Sequence, residues 1–406
     1  MKHQNRLLIL YATLILIVGL WTLPALVKKA TDSNNRYPFM YYSSMLEKYC
    51  FVDYSNDQYP ARDVDGREYN QLQADSLLPL LSYRQLLADG RMPDSLRGVE
   101  MSMMNLRSNS VVYRYKPSFI DAPATKLYVM METMPLRVGL VMPEDFFRLD
   151  DKIEFINAAT NSVDEQKSEK FQAELLKRGF EFPAQWAAGN PTTRKSYDEG
   201  VFALDNKNDL YHIKMVNGRP YVGNCNLPDS IEVAYFSIQE PSTRRFYGII
   251  HTTTGEMYLL GDGYQLQKFD MPRVDYVQDE IYILGNIFYW SVSVTNSLGR
   301  VHYALCADSL ELVDEYFIER VPSTWDKSKG YLFPVMLSFQ ADDNDYIYPR
   351  ATLGNVWSLV ISCVMALAVF VLSSRRKLTD RIFRTIFVAI GGVVALIVIK
   401  LLPKFR

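Results

Sequence analysis

One pattern recurs three times between Val201 and Pro322 and decides the fold: VFALDNKNDLYHI at residues 201–213, FYGIIHTTTGEMYLL at 246–260 and FYWSVSVTNSLGRVHYAL at 288–305. Each copy is an apolar run, a turn rich in Asn, Gly or Thr, and a second run that carries a Tyr. Such segments predict β-hairpins, because β-branched and aromatic residues favour strands while Asn and Gly favour tight turns. The copies recur about every 45 residues, which is typical of one sheet in a repetitive β fold.

Less regular segments extend this pattern on both sides. Val111–Tyr115 with Leu127–Met131 predicts a fourth hairpin, and Met336–Gln340 with Tyr346–Tyr348 predicts a final partial unit. Helical patterns near residues 75–90 and 164–178 predict two insertions, the second capped by Asp164. We therefore predict a mainly β fold with a propeller-like array of about five or six units, a sandwich or an irregular stacked sheet being the alternatives.

Three stretches with almost no charge lie near the chain ends, and about 20 apolar residues suffice for a helix to cross a ~30 Å hydrocarbon layer. They predict transmembrane helices at residues 7–27, 351–374 and 382–402. A cleaved signal peptide is the alternative for the first stretch. Its long apolar run and the lack of a small-residue cleavage site favour an uncleaved anchor.

The segment 375–381 is strongly basic, which predicts a cytoplasmic loop. Residues 1–6 are then cytoplasmic, whereas residues 28–350 form an extracytoplasmic (periplasmic) domain and residues 403–406 an extracytoplasmic C-terminus. The predicted location is the plasma (inner) membrane. Four basic residues oppose this arrangement because it places them outside: Lys28, Lys29, Lys404 and Arg406.

Composition and motifs argue against nucleic-acid binding, a shared metal site and a phosphate-binding loop. The net charge of −2 provides no basic excess for binding nucleic acid. His212, His251 and His302 lie in the three hairpins, but at different offsets from the recurring Tyr, so we expect them to pack in strands rather than to share a metal. The loop 189–196 lacks the Gly before Lys195 that a phosphate-binding loop needs, which predicts an exposed polar loop.

Two acidic turns offer oxygen ligands, Asp63–Glu68 and Asp342–Asp345, but neither has the spaced set that Ca²⁺ requires, so both are predicted to be solvated. The four cysteines show no spacing that demands a disulfide: Cys50, Cys225, Cys306 and Cys363. Buried free thiols are favoured, although a disulfide is allowed. The sequence thus predicts no catalytic, cofactor-binding or metal-ligating residues and no cofactor.

Two stretches carry a resemblance: LPLL at 78–81 with RMPDS at 91–95, and FPA at 182–184 with DEG at 198–200 and KMVNG at 214–218. They resemble an uncharacterised family of bacterial membrane-anchored proteins known as a domain of unknown function. The resemblance implies companions of ABC transporters and transfers no catalytic residue. We therefore expect a non-catalytic accessory or scaffold subunit, bound to the lipid bilayer and to a membrane protein such as an ABC permease or ATPase. An extracytoplasmic ligand-binding or sensing module is the alternative, and an extracytoplasmic enzyme has the least support.

Overall fold

The chain divides into two compact units in a computed structural model that describes residues 2–32, 37–122, 125–339 and 345–401. The central unit is Pro38–Ile318, and the terminal unit combines Met1–Tyr37 with Glu319–Arg406. Antiparallel sheets dominate the central unit, whereas helices dominate the terminal unit. The fold is therefore mainly β.

The described residues form eight helices: α1 (Lys2–Thr31), α2 (Gln71–Leu77), α3 (Tyr83–Ala88), α4 (Met103–Ser108), α5 (Glu165–Lys177), α6 (Thr324–Leu332), α7 (Val356–Leu372) and α8 (Leu378–Leu401). Their strands are β1 (Phe39–Ser43), β2 (Lys48–Val52), β3 (Ala61–Asp63), β4 (Glu68–Tyr69), β5 (Ser95–Leu96), β6 (Val99–Glu100), β7 (Val111–Tyr115), β8 (Leu127–Tyr128), β9 (Asp145–Leu149), β10 (Ile153–Asn157), β11 (Trp186–Gly189), β12 (Val201–Leu204), β13 (Leu210–Val216), β14 (Arg219–Asn224), β15 (Val233–Ile238), β16 (Phe246–Thr252), β17 (Met257–Gly261), β18 (Leu266–Lys268), β19 (Glu280–Gly285), β20 (Tyr289–Thr295), β21 (Gly299–Cys306), β22 (Leu312–Glu319), β23 (Val335–Ser338) and β24 (Arg350–Leu353).

Five sheets make up the body of the central unit. Strands β11–β14, β15–β18 and β19–β22 form three successive antiparallel meanders, and the three hairpins predicted from the sequence are their β12–β13, β16–β17 and β20–β21 pairs. Strand β7 adds to the β19 edge of the third meander. The other two sheets are β1–β4 and the three-stranded set β8–β10.

Neighbouring sheets share cores because alternate side chains of a strand point to opposite faces. In β12, Val201 and Ala203 pack towards the β8–β10 sheet, whereas Phe202 and Leu204 pack towards β15–β18. Two further clusters link β15–β18 to β19–β22 and β19–β22 to β1–β4. In the described part of the chain, no core cluster joins the two ends of this series, so the closed ring of a propeller is not shown.

The helix α5 packs on the β8–β10 sheet. It begins after Asp164, whose carboxylate accepts a hydrogen bond from the Lys167 N–H at 3.0 Å. Phe171 and Leu175 bury one face of the helix in the core that Phe155 also lines.

The terminal unit contains α1, α6, α7, α8 and the β23–β24 hairpin. Two of the described helices are long and apolar enough to cross a membrane by length and composition, α1 and α8. The backbone of α8 leaves the helical conformation at Gly392. The helix α7 is also apolar but has only 17 residues.

The structure corrects the predicted second and third spans. Residues 350–353 pair as β24 with β23, so the helix predicted at 351–374 begins only after its cap, Asn355. Seventeen residues give a helix of about 26 Å, at the short end of the lengths that cross a ~30 Å hydrocarbon layer. The third span, predicted at 382–402, is interrupted at Gly392. Three transmembrane helices are therefore not supported.

Three local predictions were also wrong. The helix near 75–90 is two short helices, because α2 begins after Asn70 and Pro79 prevents it from continuing. Strands β7 and β8 do not pair with each other but with β19 and β9, since an intervening turn at Pro117–Phe119 redirects the chain. The partner of β23 is β24 rather than residues 346–348, and most of the predicted turn between them lies outside the described residues.

Candidate docking loop and binding cleft

The segment between β8 and β9 carries an exposed apolar tip with the sequence MPLRVGLVM at residues 134–142, which we call the docking loop. Leu136 and Val138 are 104% and 102% exposed, and Val141 is exposed as well. The loop has no acidic residue, and Arg137 is its single charge. A contiguous apolar surface of this kind on a folded protein is typical of an interaction site.

Hydrogen bonds fix the base of the docking loop. The Glu132 carboxylate accepts hydrogen bonds from the backbone N–H groups of Asn217 and Gly218, at 2.8 and 2.9 Å. The Thr133 N–H and hydroxyl donate to the carbonyl of Met215, at 3.0 and 2.9 Å. These acceptors and donors belong to the β13–β14 hairpin, so the apolar tip starts from a firmly held point.

Sequence analysis missed this loop. Its signal is present in hindsight, because an apolar run broken by Pro135 and Gly139 cannot continue as a helix or as a paired strand. We would therefore expect an apolar run of this kind to form a loop at the surface, with its side chains exposed to solvent.

A cleft of about 550 Å³ lies between β8, β11 and β15. Its walls are mostly apolar and include five aromatic side chains, those of Phe119, Tyr128, Trp186, Tyr235 and Phe236. Clefts of this size with apolar walls commonly hold small ligands or partner side chains.

Two sheet edges meet at the cleft. The strands β11 and β15 are each the first strand of their sheet, and no described strand pairs with their outer edges. One edge group, the Ala187 N–H, donates to the Tyr128 hydroxyl at 3.3 Å. Unpaired strand edges provide hydrogen-bonding groups for an extended chain, while the apolar walls accept side chains.

A buried ionic cluster adjoins the cleft, beside a second hollow of about 310 Å³ that Glu240 and Asn190 line. The Lys195 ammonium lies 2.5 Å from the Asp198 carboxylate and 2.7 Å from that of Glu240. Glu240 also accepts hydrogen bonds from the Asn190 amide and from the Glu199 N–H, at 2.7 and 2.8 Å. All three charged side chains are at most 7% exposed.

In the loop 189–196, which was predicted to be exposed, Pro191, Thr193, Arg194 and Ser196 are exposed, but the Lys195 side chain is not. Lys195 is buried because Glu240, from the end of β15 in another sheet, lies against it. One ammonium faces two carboxylates, and burial raises the pKa of Asp198 although Lys195 opposes that shift. The cluster is fully hydrogen-bonded within the protein, so it holds the loop in place.

The three hairpin histidines are buried in different sheets and contact hydroxyl groups. His212 lies 3.0 Å from the Tyr264 hydroxyl, His251 lies 2.6 Å from the Tyr113 hydroxyl, and the His302 ring lies 2.8 Å from a serine hydroxyl. Burial lowers the pKa of His212 and His251 to about 3 and that of His302 to about 4, so all three are neutral at pH 7. In the described chain, no group of three or more His, Cys, Asp or Glu side chains is placed to hold a metal ion.

The remaining candidates from the sequence are structural. The acidic turn is exposed from Asp65 to Glu68, as predicted, but Asp63 is buried. The Asp63 carboxylate accepts hydrogen bonds from the Tyr69 hydroxyl and the Arg67 N–H, at 2.7 and 2.9 Å. Burial alone would raise the pKa of Asp63, but these hydrogen bonds hold it below its ordinary value. The second acidic turn lies largely outside the described residues. The four cysteines, at positions 50, 225, 306 and 363, are free thiols.

Comparisons with known proteins agree with a family of undefined function. The family described as Domain of unknown function (DUF4857) matches residues 39–305, more than half of the chain. Among curated proteins there is no match. Among solved structures, the chain is similar to PorZ, described as an essential bacterial surface component of the type-IX secretion system of Porphyromonas gingivalis, at 8% identity and a TM-score of 0.22. The match covers 70% of this chain and 32% of PorZ, so the chain spans about a third of that protein, and such a TM-score does not establish a shared fold. On the family match, the chain belongs to the DUF4857 family.

Proposed function

We propose that this protein is a non-catalytic, membrane-anchored accessory subunit that docks on a membrane protein through the docking loop. The observation that carries the proposal is the full exposure of Leu136 and Val138 on a loop with a hydrogen-bonded base. Burying one such side chain in a partner stabilises a complex by about 1.5–3 kcal/mol. A preformed base reduces the entropy that is lost on binding.

The partner is a protein rather than the lipid itself. The helix α1 already provides an apolar segment of membrane-spanning length, so a further lipid contact would add little to anchoring. The basic segment 375–381 supports a cytoplasmic position for that segment and an extracytoplasmic, periplasmic position for the central unit. An ABC-type exporter is the first partner class to test, as the resemblance noted from the sequence implies.

The test is photo-crosslinking in the native membrane with the full chain. A benzophenone amino acid at position 138 should crosslink to one integral membrane protein, and the same group at position 298 should not. Leu298 is the matched control because it is an isolated exposed aliphatic residue at the β20–β21 turn.

The double variant Leu136→Asp/Val138→Asp should recover at least about tenfold less of that partner in mild detergent, whereas Leu298→Asp should not change the yield. A stably co-purifying permease or ATPase identifies an ABC-type exporter. Equal recovery from both variants, or a clean monomer from the wild-type chain, would refute docking through this loop.

The cleft favours a second candidate, an extracytoplasmic ligand-binding or sensing module. Its aromatic walls and the two free sheet edges suit an extended peptide or a flat apolar ligand. Ala188 lines the cleft, so the variant Ala188→Phe should narrow it.

Native mass spectrometry of the full chain from its own membranes distinguishes this candidate from docking. A bound species that Ala188→Phe loses and Leu136→Asp retains supports the binding module. A wild-type chain that carries no bound species argues against it.

A further inference from the structure

The helix α8 turns back on itself at Gly392. The φ and ψ angles of Gly392 are 54° and −133°, far from the helical values of about −63° and −42°. The bend divides α8 into an outgoing arm, residues 378–391, and a return arm, residues 393–401. Both arms belong to the terminal unit.

A hydrogen bond between the arms shows how far the chain reverses. The Arg384 Nη1 group donates to the carbonyl of Ile399 at 2.7 Å, across 15 residues. In a straight helix those residues would be about 22 Å apart, because each residue advances the helix by 1.5 Å. Phe387 and Val388 of the outgoing arm and Ala395 of the return arm are buried in one core. The two arms therefore lie side by side and antiparallel.

The apex needs residues without side chains. A Cβ on Gly392 would lie 2.7 Å from Pro334 Cδ and 3.0 Å from Ser362 Oγ. A Cβ on Gly391 would lie 2.8 Å from the Cβ of Ala395. Both glycines are buried, so the non-helical backbone at the apex is covered by protein. Covered backbone is the condition under which a chain reverses inside a membrane.

Neither arm is long enough to cross a bilayer. Fourteen and nine helical residues extend about 21 and 14 Å, against ~30 Å of hydrocarbon. The outer face of the hairpin is nevertheless strongly apolar, with Ile382, Ile386, Ile390 and Ile397 exposed. The return arm and the part of the outgoing arm beyond the basic segment, residues 382–391, each extend about 14–15 Å, which matches one leaflet of about 15 Å.

Charges mark the open end of the hairpin. Asp380 lies in the basic segment 375–381 and is paired with Arg376 at 3.1 Å and with Arg384 at 2.9 Å. The exposed Lys400 lies in the last turn of the return arm. Basic residues concentrate on the cytoplasmic face of a membrane, and a hairpin brings both groups to one face whereas a straight helix would separate them.

We infer that α8 is a re-entrant hairpin that occupies one leaflet of the lipid bilayer, with residues 374–377 and Lys400 at the same membrane face. This replaces the third span that the sequence predicted, whereas the predicted extracytoplasmic C-terminus, residues 403–406, lies outside the described residues. It is independent of the docking loop, so either proposal can fail without the other.

The test is cysteine accessibility in sealed, oriented membrane vesicles. Single cysteines replace Ser374, Lys400 or Ser309 in a full chain whose Cys306 and Cys363 are changed to Ser and Ala, and Cys50 and Cys225 are buried. A membrane-impermeant maleimide should label Lys400→Cys in the same vesicle orientation as Ser374→Cys. Labelling only in the orientation that exposes Ser309→Cys, in the central unit, would overturn the inference.

A distance measurement in lipid nanodiscs keeps the inference falsifiable if a labelled variant is poorly folded. Spin labels at positions 382 and 400 are about 27 Å apart along a straight helix. The hairpin predicts a clearly shorter distance by pulsed electron paramagnetic resonance. A distance near 27 Å would overturn the inference whatever the labelling result.

Discussion

The two units bury charge in opposite ways. In the central unit, the Lys195 ammonium lies between two carboxylates, those of Asp198 and Glu240. In the terminal unit, the Asp380 carboxylate lies between two guanidinium groups, those of Arg376 and Arg384. The first cluster joins a loop to Glu240, which follows the end of β15 in another sheet, while the second joins residues four positions apart at the start of α8. The comparison indicates that the shared buried ion makes a long-range contact in the sheets, whereas in the helices it holds Arg384, the residue that donates across the reversal to the Ile399 carbonyl.

The largest effect is expected from removing the shared ion of the central unit. The variant Lys195→Met leaves Asp198 and Glu240 as two buried carboxylates without their cation. We expect the free energy of unfolding of the central unit to fall by about 3–5 kcal/mol, the usual cost of breaking a buried pair on one side. Hydrogen–deuterium exchange of peptides covering residues 186–204 would measure the loss.

The matched control for Lys195 is Lys207, which forms an ion pair with Glu181 in which both side chains are exposed to solvent. The variant Lys207→Met should leave exchange in the same peptides unchanged, because solvent screens such a pair. Equal effects of the two substitutions on exchange would show that burial does not make the Lys195 ion pairs more stabilising than an exposed pair.

The next effect compares one glycine from each unit. Gly392 and Gly218 both have positive φ, but an added Cβ meets Pro334 at Gly392 and open space at Gly218. Gly392→Ala combines backbone strain with overpacking and should destabilise the terminal unit by at least about 2 kcal/mol. Gly218→Ala should cost the central unit only the backbone strain, about 1 kcal/mol. Thermal unfolding in detergent compares the two, and a smaller effect at Gly392 would contradict the tightly packed apex.

Sequence reasoning worked where local pattern decides structure. The β12–β13, β16–β17 and β20–β21 hairpins follow from alternating apolar residues and turn residues that lie within about 20 positions of each other. It failed where distant residues decide. The apolar composition of residues 382–402 predicts a single membrane span. Composition carries no information about tertiary contacts such as those of Pro334 and Ser362 with Gly392.

The same limit applies to the candidate site. Lys195 and Glu240 are 45 positions apart, and only the meeting of two sheets brings them within 2.7 Å. The docking loop could have been predicted from the sequence, because an apolar run broken by Pro135 and Gly139 is a local pattern. The cleft could not have been predicted, because its walls come from β8, β11 and β15. The sequence of one of these strands does not indicate that the other two lie beside it.

A third effect concerns pH, and it should be confined to the central unit. The three histidines buried in the described residues belong to that unit, and burial lowers the pKa of His251 from 6.5 to about 3. Between these values the unfolded chain binds more protons than the folded one, so stability is complete above pH 6.5 and falls as the pH drops towards 3. At pH 5, each fully buried histidine should lower the free energy of unfolding of the central unit by about 2 kcal/mol. The raised pKa of Asp198 acts in the opposite direction, since protonation of that carboxyl at low pH favours the folded state.

Hydrogen–deuterium exchange at pH 7 and pH 5 measures this effect in both units at once. Central-unit peptides should lose protection at pH 5, after correction for the intrinsic exchange rate, while α7 should not. His251→Phe should reduce the difference between the two pH values, whatever it does to stability at pH 7. An unchanged difference in this variant would show that His251 does not contribute to it.

The smallest effect compares a helix cap from each unit. Asp164 caps α5 through the Lys167 N–H and Asn355 caps α7 through the Ser358 N–H, each at 3.0 Å. Asp164→Ala should cost about 1 kcal/mol, because the Lys167 N–H then loses the side-chain acceptor. Asn355→Ala should cost less, since the Ser358 N–H also lies 3.0 Å from the Asn355 carbonyl and keeps that acceptor. Exchange of the Lys167 and Ser358 amides would measure the difference. A larger loss at Ser358 would mean that the side-chain bond carries the α7 cap and that the terminal unit depends on side-chain polar groups as strongly as the central unit does.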